Sequence, residues 1–167
     1  MTMYYLTKAT INDFEALLAL KSQKDAIKWS GFTTAPDREK FLEYYMTKVL
    51  DNPKTGMMFL RDDEIEGNPI VGYIQYDIIS PEDIEMRGSV IKKSYQGTGA
   101  YVIMSKLLHK YLKEQGFKHA IGWVSENNAS SLARLEERGW HRTDEYEVRN
   151  LPLLGGEHRF VKCIKNY

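Results

Sequence analysis

Gln96, Gly97, Thr98 and Gly99 stand between an apolar strand pattern ending at Val90 and Ile91 and a helix-period run at Val102, Met104, Leu107, Leu108, Tyr111 and Leu112. A strand, a glycine-rich turn and a helix start aim several free backbone N–H groups, together with the positive end of the helix dipole, at one point. That suits a phosphate or pyrophosphate, with Lys92 and Lys93 adding charge at the rim. A Gly-X-Gly before a helix is also a common tight turn, so neighbouring sequence has to decide. Val102 stands where a dinucleotide-binding fingerprint needs its third glycine, and no Gly-Lys-Ser/Thr completes a P-loop. Just upstream, Asp83 and Glu85 open the strand, and period-2 alternation sets Glu85 opposite the apolar Ile84 and Met86. Asn128 follows the strand pattern Ala120–Val124 and has the type of a helix N-cap.

Gln96-Gly97-Thr98-Gly99-Ala100-Tyr101 resembles the acetyl-CoA loop of the GNAT N-acetyltransferases, Arg/Gln-Gly-X-Gly-X-Gly/Ala, with Tyr101 in place of the last small residue. The likeness continues at the family's spacing: a helix ending Glu114-Gln115-Gly116-Phe117, the strand Ala120–Val124, Asn128, and a helix ending Glu136-Glu137-Arg138-Gly139-Trp140. The resemblance implies an α+β, three-layer fold in which a mixed, mostly antiparallel sheet of about seven strands is flanked by four helices. It implies acetyl-CoA as co-substrate, no metal, and transfer of the acetyl group to a primary amine by direct attack. Main chain near Ser89, Val90 and Ile91 would pair with the pantetheine arm, the amides of Gln96, Gly97, Thr98, Gly99, Ala100 and Tyr101 would take the pyrophosphate, and Asn128 would touch the pantetheine. The connection between the first two helices, with Trp29 and Phe32, would line the acceptor pocket; both residues also read as caps on the core beneath a loop. Glu85, with Asp83 as second choice, would remove the ammonium proton. An amine of pKa near 10 is almost wholly protonated at neutral pH, so such a route is needed.

The sequence departs from the family at one catalytic position. Counting back four from Gly139, the place of the tyrosine acid that protonates the thiolate holds Leu135, which is expected to pack beside Leu132. Tyr101, Tyr95 and Tyr146 are candidate substitutes, each also readable as a packing residue. A CoA-binding module without turnover, or an enzyme acting on a protein N-terminus or a ribosomal protein, are the rival readings. The favoured acceptor is a small amine: an amino sugar, an aminoglycoside, a polyamine or an amino acid.

The elements that must position these groups follow from the pattern elsewhere. Tyr4–Ala9 alternates as a strand, and Thr10 with Asp13 opens a helix carrying Phe14, Leu17, Leu18 and Leu20. Between Lys24 and Pro36 periodicity fails. A second helix restarts at Pro36-Asp37, with apolar positions Phe41, Leu42, Tyr45, Met46, Val49 and Leu50. Strands are expected at Thr55–Arg61, Pro69–Ile79, Ile84–Ile91, His141–Val148 and Glu157–Ile164. The 167 residues fit one domain, 1–167, and the 23 basic residues balance 23 acidic ones, which argues against nucleic acid or an anionic membrane as partner. Cys163 is the single cysteine and reads as a buried thiol. With no signal peptide ahead of Tyr4 and no apolar run near the ~20 residues of a spanning helix, a cytoplasmic protein is expected, with a homodimer allowed.

Overall fold

The structure, a computed structural model, describes residues 3–167. Strands β1 (Tyr4–Lys8), β2 (Thr55–Asp62), β3 (Ile70–Ile78), β4 (Asp83–Ile91), β5 (His119–Ser125), β6 (Trp140–Leu151) and β7 (Gly156–Asn166) form one sheet in the order β1-β2-β3-β4-β5-β7-β6. Every pairing is antiparallel except β4 with β5. This is the mixed, mostly antiparallel sheet expected.

Among the described residues five α-helices accompany it: α1 (Phe14–Lys21), α2 (Lys24–Ser30), α3 (Arg38–Tyr44), α4 (Ala100–Glu114) and α5 (Ala129–Arg134). The reading of Lys24–Pro36 as irregular is therefore corrected: α2 occupies its first half and ends at Gly31 in the left-handed conformation. None of its residues is buried, so it carries no apolar stripe for periodicity to detect. The expected Thr10–Asp13 capping box opens a 3-10 turn, Ile11–Asp13, that runs straight into α1, with Thr10 N–H donating to Asp13 Oδ2 at 2.8 Å. Helix α3 is capped by Asp37 and runs on as a π-helical segment, Tyr45–Leu50.

Two cores result. On one face Met104, Leu108 and Leu112 of α4 are fully buried against Leu60, Val71, Ile74, Ile84 and Ala120. Their i, i+4, i+8 spacing gives α4 a single apolar stripe, and each such side chain contributes about 1.5–3 kcal/mol by leaving water. On the other face Phe14, Leu17 and Leu20 of α1, with Tyr45 and Val49, cover Met57, Phe59 and Tyr73.

The feature that matters for function lies at the middle of the sheet. Strand β4 pairs with β5 only where Asp83, Ile84 and Glu85 meet His119, Ala120 and Ile121. Past that point β5 continues against β7 as far as Ser125–Phe160 while β4 continues against β3, so the two central strands part. A bulge helps to part them: Tyr76 faces Met86 and Gln75 faces Gly88, leaving Arg87 as an extra residue that bends β4 locally.

Candidate active site

A cavity of about 1050 Å³ occupies the parting of β4 and β5. On the α4 side it is lined by Met86 and Ser89 of β4, by Tyr101, Val102, Ser105, Lys106 and His109 of α4, and by Asn128, Ser131 and Leu135 around α5. On the opposite side it is lined by Trp29 of α2, Trp123 and Ser125 of β5, Glu147 and Arg149 of β6, and Phe160 of β7. Strand alternation requires these two sets to face opposite ways, so the cavity passes through the sheet. A through-channel of this kind admits an extended molecule on one face and its reaction partner on the other.

The glycine turn lies directly ahead of the lining residues Tyr101 and Val102. Gly97 and Gly99 take φ of +77° and +87°, values open to glycine, and Gly99 is the N-cap of the 15-residue α4. A Cβ at either glycine would meet nothing within 4 Å, so the space over the turn is open for a group to approach the backbone. The side chain of Gln96 turns inward, donating to Asp25 at 2.8 Å and to the Ile91 carbonyl at 3.0 Å. Gln23 also donates to the Ile91 carbonyl, and accepts from Lys93 N–H. Thus α2 braces the turn from behind, a role with no periodic signature in the sequence.

Of the residues singled out from sequence, Ser89, Tyr101, Asn128, Trp29 and Leu135 line the cavity, whereas Phe32 is 70% exposed and lies outside the lining. Val90 packs toward the α1 core and Ile91 is buried under α4, leaving their main chain as the part available to a ligand. Asn128 caps α5, its Oδ1 accepting from Ser131 N–H at 3.3 Å, and faces the cavity as well. Trp29 meets Phe160 edge-on at 6.5 Å and His158 at 6.4 Å.

Neither carboxylate at the start of β4 lines the cavity. Asp83 accepts from Ser80 Oγ at 2.9 Å and pairs with His119 at 2.8 Å, contacts that lower its pKa in that order. Glu85 lies opposite Asp77 on β3, and Arg87 bridges the two, at 2.9 Å to Glu85 and 3.1 Å to Asp77. Arg87 itself lines the cavity, so Glu85 touches the site through it. Two other carboxylates line the cavity, Glu137 after α5 and Glu147 of β6, the latter accepting from Arg149 Nε at 2.6 Å. Arg149 in turn lies 4.3 Å over the Phe160 ring.

The tyrosines divide as well. Tyr95 donates to Asp62 at 2.6 Å, a bond that pushes its phenol up to about 12. Tyr146 lies outside the cavity under Arg159, at 3.6 Å. Tyr101 alone of the three lines the cavity, half exposed. Leu135 is 8% exposed. Cys163 is fully buried, and burial pushes its thiol pKa up, as suits an inert side chain. Among the described residues no cluster of three or more His, Cys, Asp or Glu is placed to hold a metal ion, and no helix is long and apolar enough to cross a membrane.

A family model described as "Acetyltransferase (GNAT) domain" matches residues 4–141. No curated protein sequence matches the chain. Among solved structures it is similar to spermidine N-acetyltransferase from Vibrio cholerae in complex with CoA and spermine, with a TM-score of 0.80, 14% identity, and coverage of 98% of this chain and 95% of that one. It is similar also to a domain from Methanocaldococcus jannaschii, with a TM-score of 0.73, 21% identity, and coverage of 98% of each chain.

Proposed function

The chain belongs to the GNAT family of acetyl-CoA-dependent N-acetyltransferases, and on that premise we propose that it acetylates the primary amine of a small molecule. The observation that carries the proposal is the parting of β4 from β5 after Glu85 and Ile121, with the cavity that runs through it. The unpaired edge of β4 near Ser89, Val90 and Ile91 offers main-chain groups to the amides of the pantetheine arm. The turn Gln96–Tyr101 offers N–H groups to the pyrophosphate, with no protein atom over Gly97 or Gly99 to obstruct it. Lys106 and Arg138, both on the α4 side of the cavity, add positive charge for the nucleotide end.

The acetyl carbon then lies where the cavity crosses the sheet. The amine approaches from the opposite side, past Trp29, Trp123 and Phe160, an aromatic wall with Glu147 and Arg149 beside it. Such a wall suits the apolar body of a small substrate with polar groups at its rim. The attacking nitrogen forms a bond to the thioester carbon, the C–S bond breaks with its electron pair on sulfur, and the nitrogen sheds a proton. Glu85 is the proposed route for that proton, through water, since it shares Arg87 with the cavity and stands on the acceptor side of β4. The domain 1–167 is proposed to work in the cytoplasm.

Release of free thiol from acetyl-CoA, followed with a panel of amino sugars, aminoglycosides, polyamines and amino acids, tests the reading. Amine-dependent release is expected with at least one class. Binding of CoA without release in any mixture would replace the enzyme with a binding module. Polyamines are tried first, since the similar Vibrio cholerae enzyme has spermine bound.

A further inference from the structure

The position expected to protonate the departing thiolate holds Leu135, yet the cavity beside it contains another proton-bearing group. His109 lies on α4, 7% exposed, and lines the cavity. Its Nδ1 is 2.5 Å from the hydroxyl of Tyr167, which follows β7 directly. Its Nε2 has no hydrogen-bond partner among the described residues, and no side-chain polar atom there is both sealed from solvent and unsatisfied. Nε2 therefore opens on the cavity. The ring is held edge-on against Trp140 at 5.6 Å, and Trp140 in turn covers Gly122, whose Cβ position is 3.0 Å from the indole. Gly122 is the first residue of β5 beyond its pairing with β4.

Chain geometry sets His109 abreast of the thioester. Helix α4 starts after the end of β4 and returns to its beginning, where the Lys118 and His119 N–H groups donate to the Glu82 carbonyl; the helix runs antiparallel to β4. From Ala100 to His109 the helix climbs roughly 14 Å. From Ile91 back to Met86 the strand covers roughly 16 Å. The arm of CoA between phosphate and sulfur is a backbone-like chain that spans roughly 15 Å when extended. A pyrophosphate on the Gln96–Tyr101 turn thus brings the sulfur level with Met86 and His109.

We propose that His109 is the catalytic acid of the transfer, donating the Nε2 proton to the coenzyme A sulfur while Tyr167 resupplies the ring at Nδ1. As the C–S bond breaks, the electron pair on sulfur takes the proton from Nε2. The Tyr167 hydroxyl proton passes to Nδ1; the proton shed by the amine then enters Nε2 from the cavity through water as Nδ1 hands its own proton back to the Tyr167 phenolate. The imidazole begins and ends neutral in the same tautomer, and the one proton lost by the amine ends on sulfur. That agrees with burial, the larger effect, and Lys165 both holding the His109 pKa down at about 4. Lys165, tied to the Arg138 carbonyl, is one of the charged groups at this corner, and Lys106, Glu137 and Arg138 line the same cavity. The inference rests on the acetyltransferase reading and adds to it a residue that the family pattern does not supply.

Steady-state kinetics of the full chain test it, with the amine that the wild-type protein uses best. His109→Phe, which keeps a ring against Trp140, is expected to lower kcat by roughly 10²–10⁴-fold, the usual worth of a positioned acid, with the KM for acetyl-CoA within about twofold of wild type. His109→Gln, whose amide can hydrogen-bond the sulfur but cannot give up a proton, is expected to stay close to His109→Phe, and full recovery by it would overturn proton donation. Tyr167→Phe, which removes one hydroxyl, is expected to lower kcat by at least roughly tenfold; it carries the test alone if His109→Phe fails to fold. Unchanged kcat in the folded His109→Phe or Tyr167→Phe protein, or a loss confined to KM, overturns the relay while leaving acetyl transfer intact. Absence of any amine-dependent turnover by the wild-type protein overturns both.

Discussion

Substituting Gly99 tests the pyrophosphate turn with a magnitude that can be worked in advance. Gly99 has φ of +87° and empty space above it. Gly99→Ala therefore adds no clash; it adds only the left-handed strain of an L-residue, about 1–2 kcal/mol of stability. Gly99→Asp adds similar or smaller strain, because aspartate tolerates this region better, and sets a carboxylate over the turn. A unit negative charge about 5 Å from a pyrophosphate charge costs about 1 kcal/mol at the dielectric of water and about 3 kcal/mol at the value suited to a protein surface. The Kd for CoA should therefore rise roughly fivefold to 150-fold for Gly99→Asp relative to Gly99→Ala. Titration calorimetry on both folded variants, at low and at physiological salt, measures the difference, which should shrink as salt rises. Equal affinities for the two variants would refute the placement of the pyrophosphate on this turn.

Leu135→Ala removes a buried side chain and should cost about 2–5 kcal/mol, toward the low end because the site borders a cavity; loss of Tm by thermal melting checks it. Glu85→Gln should lower kcat/KM by roughly 10²–10⁴-fold near neutral pH, with the defect shrinking at high pH where free amine is plentiful and acetyl-CoA binding preserved; the variant-to-wild-type ratio at each pH is the quantity to follow, and a defect found instead in Glu147→Gln would move the base to β6. The buried neutral His109 fixes a sign as well. Its folded pKa of about 4 lies below the unfolded value near 6.5, so its contribution is complete above about pH 6.5 and is lost as pH falls toward 4, by about 3 kcal/mol at most. Urea denaturation across that range should show the loss in wild type and a flatter profile in His109→Gln.

The parts of this molecule that announce themselves in sequence are those where a local rule and the tertiary environment agree. Helix α4 buries one stripe at i, i+4, i+8, and the turn before it needs glycine at two left-handed positions, so both stand out. The capping box at Thr10 and Asp13 is equally local, although nothing in the sequence shows that Asp13 is also held by Arg61 at 3.0 Å. Helix α2 was illegible because it buries no residue, and its value lies in Gln23 and Asp25 bracing the turn some seventy positions away. The bulge at Arg87 escaped for a different reason. Alternation predicts the face of Glu85 relative to Ile84 and Met86, but an extra residue on one strand is a property of register between β3 and β4. Phe32 illustrates the limit of residue type as a guide, since an aromatic in a polar segment can remain mostly in solvent. His109 carries no mark in the sequence beside the apolar Leu108; only the third dimension sets its free nitrogen against the cavity and its other nitrogen against Tyr167.

A crystal structure of the chain with coenzyme A tests the central claim most directly. The account predicts the pyrophosphate on the amides of Gln96–Tyr101, the pantetheine along the β4 edge at Ser89–Ile91, and the sulfur between Met86 and Gly122 on the side of His109. Coenzyme A bound elsewhere, with β4 and β5 closed against each other beyond Glu85 and Ile121, would contradict it.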